Sequence, residues 1–235
     1  MTGVVTTAMV LAAGRGERMR PLTDSTPKPL LEVAGRPLIE HHLIKLAAAG
    51  FKRIVINHAH LGEKIVSVLG DGERWNITIQ FSAERDALET AGGIANALPL
   101  IGSEAFAVVN SDVFSDYDYS GLRVAAQRLR DDAKWLAHLV LVDNPTHNPA
   151  GDFALRDGTV VLDSDDRLTF GGLAAYRADM FAALTPGEKK ALGPMLKTEV
   201  HAGRVSGEHY RGSWTDVGTR ERLAHVNQLM ARRQT

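Results

Sequence analysis

Met9-Val-Leu-Ala-Ala-Gly14-Arg-Gly16-Glu-Arg18-Met-Arg20-Pro21-Leu-Thr23 turns an apolar run into a Gly-x-Gly loop crowded with arginines, and Pro27-Lys28-Pro29 follows closely. An apolar run without alternation fits a strand buried on both faces. A Gly-x-Gly turn at the carboxyl end of such a strand lets backbone N–H groups approach an anion. Arg15, Arg18, Arg20 and Lys28 add the fork and point charges that suit a polyphosphate, and the three prolines stiffen the loop. Met19 stands where a dinucleotide fingerprint needs glycine, and the Gly-Lys-Ser/Thr of a P-loop is missing at its spacing. On residue types alone, a surface loop that is simply rich in Gly and Arg stays open as an alternative.

Working outward, similar apolar runs recur at Arg53–Asn57, Ile77–Phe81, Phe106–Asn110 and Trp135–Val142. Helical spacing falls between them at Pro37–Ala49, Leu61–Leu69, Gly92–Leu98 and Gly121–Arg130, with Gly50 as the stop of the first. This alternation predicts an α/β fold, a mostly parallel sheet flanked by helices. In such sheets ligands sit beyond the carboxyl ends of the strands. After residue 142 the pattern changes. Phe153–Leu155, Val160–Leu162 and Leu168–Tyr176 read as short strands split by turn signals, a small antiparallel insertion over about 143–176 packed beside the parallel core. A helix around Gly187–Ala202, a strand at Arg204–His209 and a closing helix at Arg220–Arg232, capped by Thr219, complete one continuous domain over 1–235.

Composition narrows the chemistry. With 27 Lys and Arg against 28 Asp and Glu the formal charge is −1, so no bulk basic footprint for nucleic acid exists. Cysteine is absent, which removes thiolate metal sites and a Cys nucleophile. The N-terminal apolar stretch lacks a preceding basic region, and no run of about 18 apolar residues is present to span a membrane. The expected address is the cytoplasm, with no membrane partner.

Acids mark the next candidates. Val108-Val109-Asn110-Ser111-Asp112 is an apolar strand ending in a carboxylate that can hold Mg²⁺ beside substrate phosphates; taken alone, an Asp that caps the next segment or makes an Asx turn is the commoner explanation. Trp214-Thr215-Asp216-Val217-Gly218-Thr219 places another acid before a Gly turn, either as a second metal ligand or as a helix-dipole charge. Glu84–Gly93 ends in Gly92-Gly93, where a flat base or sugar could approach the backbone, or where the chain simply turns. Asn148-Pro149-Ala150-Gly151-Asp152 offers polar groups for sugar hydroxyls, or a plain β-turn. The nine histidines show no metal spacing and read as surface or loop residues. Trp75, Trp135 and Trp214 read as core or half-buried anchors.

Together these motifs resemble the sugar-nucleotide pyrophosphorylases. Gly14, Gly16, Arg18, Pro21, Pro27 and Lys28 fit the family's first signature, with Glu17 in place of its usual Thr. Asn110-Ser111-Asp112 fits its metal-binding turn, with Ser in place of Gly, and Asp216 fits the second metal acid. Within the family the chain looks most like the branch that acts on UTP and N-acetylmuramate 1-phosphate, through Leu88-Glu-Thr-x-Gly-Gly93, Asn148-Pro-x-Gly-Asp-Phe153 and Gly207-Glu-His-x-Arg-Gly212. Phe170-Gly171-Gly172 departs from the polar residue that many relatives carry there.

The resemblance implies a Rossmann-like fold of the nucleotide-diphospho-sugar transferase type and transfer of a nucleotidyl group to a sugar 1-phosphate. It implies Arg18 and Lys28 as catalytic cations. Nucleotide contacts would come from Ala12, Ala13, Gly14, Lys28, Glu84, Gly93 and Asn110. Asp112 and Asp216 would hold Mg²⁺, and Asn148, Gly151, Asp152 and Gly172 would serve the sugar. A monomer or small homo-oligomer is expected. The alternatives are a mannose 1-phosphate guanylyltransferase, a glucose 1-phosphate thymidylyltransferase, or a non-catalytic nucleotide-binding regulator.

Overall fold

The computed structural model describes residues 3–102 and 104–232. In chain order its first half holds β1 (Thr7–Leu11), α1 (Leu22–Ser25), β2 (Glu32–Val33), β3 (Arg36–Pro37), α2 (Leu38–Ala48), β4 (Arg53–His58), α3 (Gly62–Leu69), β5 (Thr78–Ala83) and α4 (Glu89–Ile101). Then come β6 (Ala105–Asn110), β7 (Val113–Ser115), α5 (Ser120–Asp131), β8 (Ala137–Val142), β9 (Phe153–Arg156) and β10 (Thr159–Val161). The last elements are β11 (Arg167–Arg177), α6 (Leu192–His201), β12 (Val205–Tyr210), β13 (Trp214–Asp216) and α7 (Arg220–Arg232).

A nine-stranded sheet in the order β5-β4-β1-β6-β11-β8-β12-β10-β9 organises the chain. β5, β4, β1 and β6 run parallel, with Met9 opposite Val55 on one side and Val108 on the other. Strand side chains alternate between faces. Ala8 and Val10 therefore join the core that holds Ile39, Leu43 and Leu46 of α2. Met9 joins the opposite core with Ile94, Ala95 and Ile101 of α4. Both faces are covered, which is why the strands read as continuous apolar runs. Each fully buried Val, Leu or Ile contributes roughly 1.5–3 kcal/mol of hydrophobic stabilisation.

Gly50 ends α2 as expected. At φ +90° its N–H donates to Ala47 O, and the Phe51 N–H donates to Leu46 O, the paired bonds of a Schellman stop. Thr219 caps α7, accepting from the Arg222 N–H at 3.3 Å.

Three expectations need correction. The antiparallel segment is not only a flap: β9 and β10 form an edge, but β11 runs between β6 and β8, antiparallel to both. The helix expected from Gly187 starts at Leu192, because Pro194 has no N–H for the Lys190 carbonyl and fits only the first turn; that carbonyl accepts from the N–H groups of Ala91 and Gly92. His42 and His58, expected at the surface or in loops, are buried; His42 shares helical spacing with Leu38, Ile39, Leu43 and Leu46. Trp135 is buried, and the half-buried Trp214 donates to Gly171 O.

Candidate active site

The carboxyl ends of β1, β4 and β6 open onto a cleft of about 530 Å³, lined among others by Ala13, Gly14, Arg15, Arg18, Lys28 and Asp112. The loop after β1 is held from within. Met19 is fully buried, its N–H donates to Gly16 O at 2.9 Å, and the Thr23 hydroxyl donates to the same carbonyl. Gly16 has φ +68°, and a Cβ there would stand 3.0 Å from the Thr23 methyl and 3.1 Å from the Lys28 Cβ. That glycine lets the loop fold back on Lys28.

Lys28 Nζ donates to Asp112 Oδ2 at 2.5 Å, with only 11% of the lysine side chain exposed. Asp112 follows the end of β6, where the Ser111 N–H donates to Leu11 O. Beyond it β7 pairs antiparallel with β13, setting Asp216 opposite Val113. The Val217 N–H then donates to Asp112 O at 2.6 Å. The backbone thus sets segments far apart in the chain side by side, Asp112 lining the cleft and Asp216 next to it. Asp216 Oδ1 accepts from Arg222 Nη1 at 2.6 Å and lies 3.1 Å from His147 Nε2. A Cβ on Gly218 would collide with Arg222 Nη2 and sit 3.1 Å from both Arg18 Nη2 and Asp216 Oδ2, so that glycine leaves room for the Arg222 guanidinium beside Asp216, with Arg18 nearby. Among the described residues, neither Arg15 nor Arg18 is paired with a carboxylate.

At the other end, Asn57 bridges three strands. Its Oδ1 accepts from the Ala12 N–H at 2.9 Å, and its Nδ2 donates to Glu84 Oε1 at 2.6 Å. Glu84 Oε2 accepts from the Leu88 N–H. Both oxygens of this buried carboxylate are therefore engaged by the protein. Gly93 lies directly behind the pair, where a Cβ would be 2.7 Å from Glu84 Oε1 and 2.8 Å from Asn57 Nδ2.

Glu89, Thr90 and Asn110 form the wall shared with a second cleft of about 640 Å³, which also touches Gly151, Asp152, Phe153, Phe170, Leu192, Leu196 and Lys197. Glu89 holds φ +60° at that wall, a strained backbone for a non-glycine residue of the kind that gathers at functional sites. Asp152 accepts from the Phe170 N–H at 2.8 Å and from Asn148 Nδ2 at 3.3 Å. Gly151, at φ +62°, packs on the Arg167 backbone. Gly172, at φ +70°, sits behind Asn110, where a Cβ would be 2.8 Å from the amide nitrogen.

The sequence profile of the nucleotidyl transferase family matches residues 7–153. The chain belongs to this family. It is 50% identical over 226 residues to the N-acetylmuramate alpha-1-phosphate uridylyltransferase of Neisseria meningitidis serogroup B, covering 94% of this chain and 97% of that one. It is 34% identical to the protein of the same name from Caulobacter vibrioides, over 90% of this chain and 91% of that one. A solved Bacillus anthracis structure, assigned as a glucose-1-phosphate thymidylyltransferase, superposes with a TM-score of 0.82 at 22% identity, over 95% of this chain and 94% of that one. That likeness shows the shared nucleotide-diphospho-sugar transferase fold.

In this sugar-nucleotide pyrophosphorylase, Ala13, Gly14, Arg18, Lys28, Glu84, Asn110 and Asp112 all line the first cleft, whereas Asp216 stands beside that lining, next to Gly218. Ala12 and Gly93 stand behind it and shape Asn57 and Glu84. Gly151 and Asp152 line the second cleft, whereas Asn148 and Gly172 support Asp152 and Asn110 from outside. Asn57, His147 and Arg222 escaped the sequence reading, since none belongs to a spaced motif. For Asn57 a signal existed: it is an amide on an otherwise apolar strand end.

Among the described residues no three His, Asp or Glu side chains gather as a metal cage. Asp112, just before β7, and Asp216, at the end of its partner β13, still suit Mg²⁺, which takes one or two protein oxygens and completes its shell with water and phosphate.

Proposed function

We propose that this enzyme joins UTP to N-acetylmuramate 1-phosphate, forming UDP-N-acetylmuramate and pyrophosphate. The observation that carries this reading is that Arg18, Lys28 and Asp112 line a polyphosphate-sized cleft, with Asp216 held next to Asp112 by the β7–β13 pairing and a larger cleft adjoining across Glu89, Thr90 and Asn110. The relatives of the same length that bear the name of this reaction support the choice of base and sugar. In the proposed reaction a phosphate oxygen of the sugar 1-phosphate attacks the α-phosphorus in line. The bond from that phosphorus to the oxygen bridging it to the β-phosphate breaks, and pyrophosphate leaves with the electron pair. The substrate brings its own anionic nucleophile, so no covalent enzyme intermediate is required.

The chain's own groups then have distinct tasks. Arg18 binds the β- and γ-phosphates, and Lys28 meets the charge that grows on the α-phosphate oxygens. Asp112 and Asp216 are the residues that would hold Mg²⁺, which when bound supplies charge neutralisation on the phosphates. Ala13 and Gly14 give backbone contacts to the nucleotide. The Asn57–Glu84 pair holds the base end in shape, and Asp152 faces sugar hydroxyls. The cytoplasm, as the source of UTP, is the working compartment in this reading.

The test is pyrophosphate release with purified protein, Mg²⁺, five NTPs and five sugar 1-phosphates. UTP with N-acetylmuramate 1-phosphate is expected to turn over fastest, and UTP to exceed GTP by about a hundredfold or more, because base-edge hydrogen bonds left unpaired are costly. Equal or better rates with GTP and mannose 1-phosphate would overturn the substrate assignment. Absence of pyrophosphate release with every pair would overturn the transferase chemistry.

A further inference from the structure

We infer that Lys197, on the α6 wall of the second cleft, reads the carboxylate of the substrate's lactyl ether and so sets the choice between N-acetylmuramate and N-acetylglucosamine 1-phosphates. The inference rests on the proposed reaction, and deepens it by naming the group that recognises the one charge by which these sugars differ. An anion entering a near-neutral protein must be met by a placed cation. The charged side chains on this cleft are Glu89, Asp152, Arg167 and Lys197. The two acids would repel a carboxylate. Asp152 already accepts from the Phe170 N–H and from Asn148, and Glu89 lies 3.7 Å from Lys189.

Of the two cations, Arg167 is committed elsewhere. Its Nη2 donates to Leu162 O at 3.1 Å and its Nε to Ser164 O at 3.3 Å, which turns the guanidinium toward the hairpin. Lys197 is different: among the described residues no acid or carbonyl engages its ammonium. Residues four apart share a helix face, so Lys197 stands over Gly193, another lining residue. A Cβ on Gly193 would meet nothing within 4 Å, so space remains open beside the lysine. Phe153, Phe170, Leu192 and Leu196 supply apolar wall for the methyl groups of the lactyl and acetamido substituents. The arrangement therefore offers a mobile point charge beside apolar surface, which is the chemistry of a lactyl ether.

The experiment compares wild type, Lys197→Ala, Lys197→Arg and Arg167→Ala by pyrophosphate release with UTP and each of the two sugar 1-phosphates. Calorimetric binding of UDP-N-acetylmuramate and UDP-N-acetylglucosamine gives a readout independent of turnover. Lys197→Ala is expected to lower the preference for the muramyl substrate about 10- to 100-fold, mostly through KM, the scale of one charged hydrogen bond. The same loss should appear in the ratio of the two product affinities. Lys197→Arg should recover much of the preference, and Arg167→Ala should keep the wild-type ratio. Equal losses for both sugars in Lys197→Ala, or an unchanged ratio, would overturn the role of Lys197 while leaving the reaction in place. A wild type that does not use N-acetylmuramate 1-phosphate would overturn the parent reading together with this one.

Discussion

The Val217 amide donates to the carbonyl oxygen of Asp112 at 2.6 Å, so the chain segments that bear Asp112 and Asp216 are locked to each other by backbone. The β7–β13 pairing extends the lock, with Asp216 directly opposite Val113. Side-chain substitution at either acid should therefore change charge without releasing the segment. Asp112→Asn and Asp216→Asn are each expected to keep the far-UV spectrum and melting temperature close to wild type. Turnover should fall by about a thousandfold, roughly 4 kcal/mol of barrier. Pyrophosphate release across a Mg²⁺ titration checks this, and near-wild-type kcat in both variants would refute the metal assignment.

Lys28 and Arg18 should separate in their kinetics. A cation that meets charge developing in the transition state affects kcat, whereas one that holds ground-state phosphates affects KM. Lys28→Ala is expected to lower kcat by about a hundredfold or more, and Arg18→Ala to raise the KM for UTP with a smaller change in kcat. Initial-rate curves for both variants decide between the roles.

Gly93 tests the nucleotide end. A Cβ there would lie 2.7 Å from Glu84 Oε1 and 2.8 Å from Asn57 Nδ2, and would push apart a bond of 2.6 Å. Gly93→Ala is expected to cost about 1–3 kcal/mol of stability by disturbing a buried hydrogen-bonded pair. It should also raise the KM for UTP while leaving that for the sugar phosphate nearly unchanged. Urea unfolding and the two KM values measure these effects.

His42 should make stability sensitive to acid. Its ring is enclosed, shares a hydrogen bond with the Tyr119 hydroxyl at 2.7 Å, and is pushed by burial down to about 4 from an ordinary 6.5. The folded value lies below the unfolded one, so on acidification the unfolded chain takes up the proton first. The stability is fully present above pH 6.5 and is lost as pH falls toward 4, by about 3 kcal/mol in total. Urea midpoints between pH 7 and 5 should fall in wild type. In His42→Leu the starting stability should be lower and the slope in that window flatter.

Much of the site was readable in order along the chain. The apolar run before Gly14, the arginines after it, Lys28 between prolines, and acids at strand ends are local patterns with local causes. Burial on both faces writes itself into a strand as an unbroken apolar run, which is why β1, β4 and β6 were legible. Gly50 and Thr219 were legible because a stop and a cap depend on a few adjacent residues.

Other features depend on partners distant in sequence, and no local pattern records them. A strand's direction follows from its neighbour, so Leu168–Tyr176 announced a strand without announcing that β11 would run between β6 and β8. Pro194 denies the Lys190 carbonyl a helical donor, but that the N–H groups of Ala91 and Gly92 satisfy it is recorded nowhere nearby. Asp112 and Asp216 are each ordinary acids at strand ends until β7 pairs with β13. Composition, periodicity and spaced motifs thus named the fold class and the candidate residues. The assignment of each hydrogen bond, and so which acid meets which cation, arose only when long-range pairing closed the sheet, because a hydrogen bond is defined by two groups and the local sequence specifies one of them.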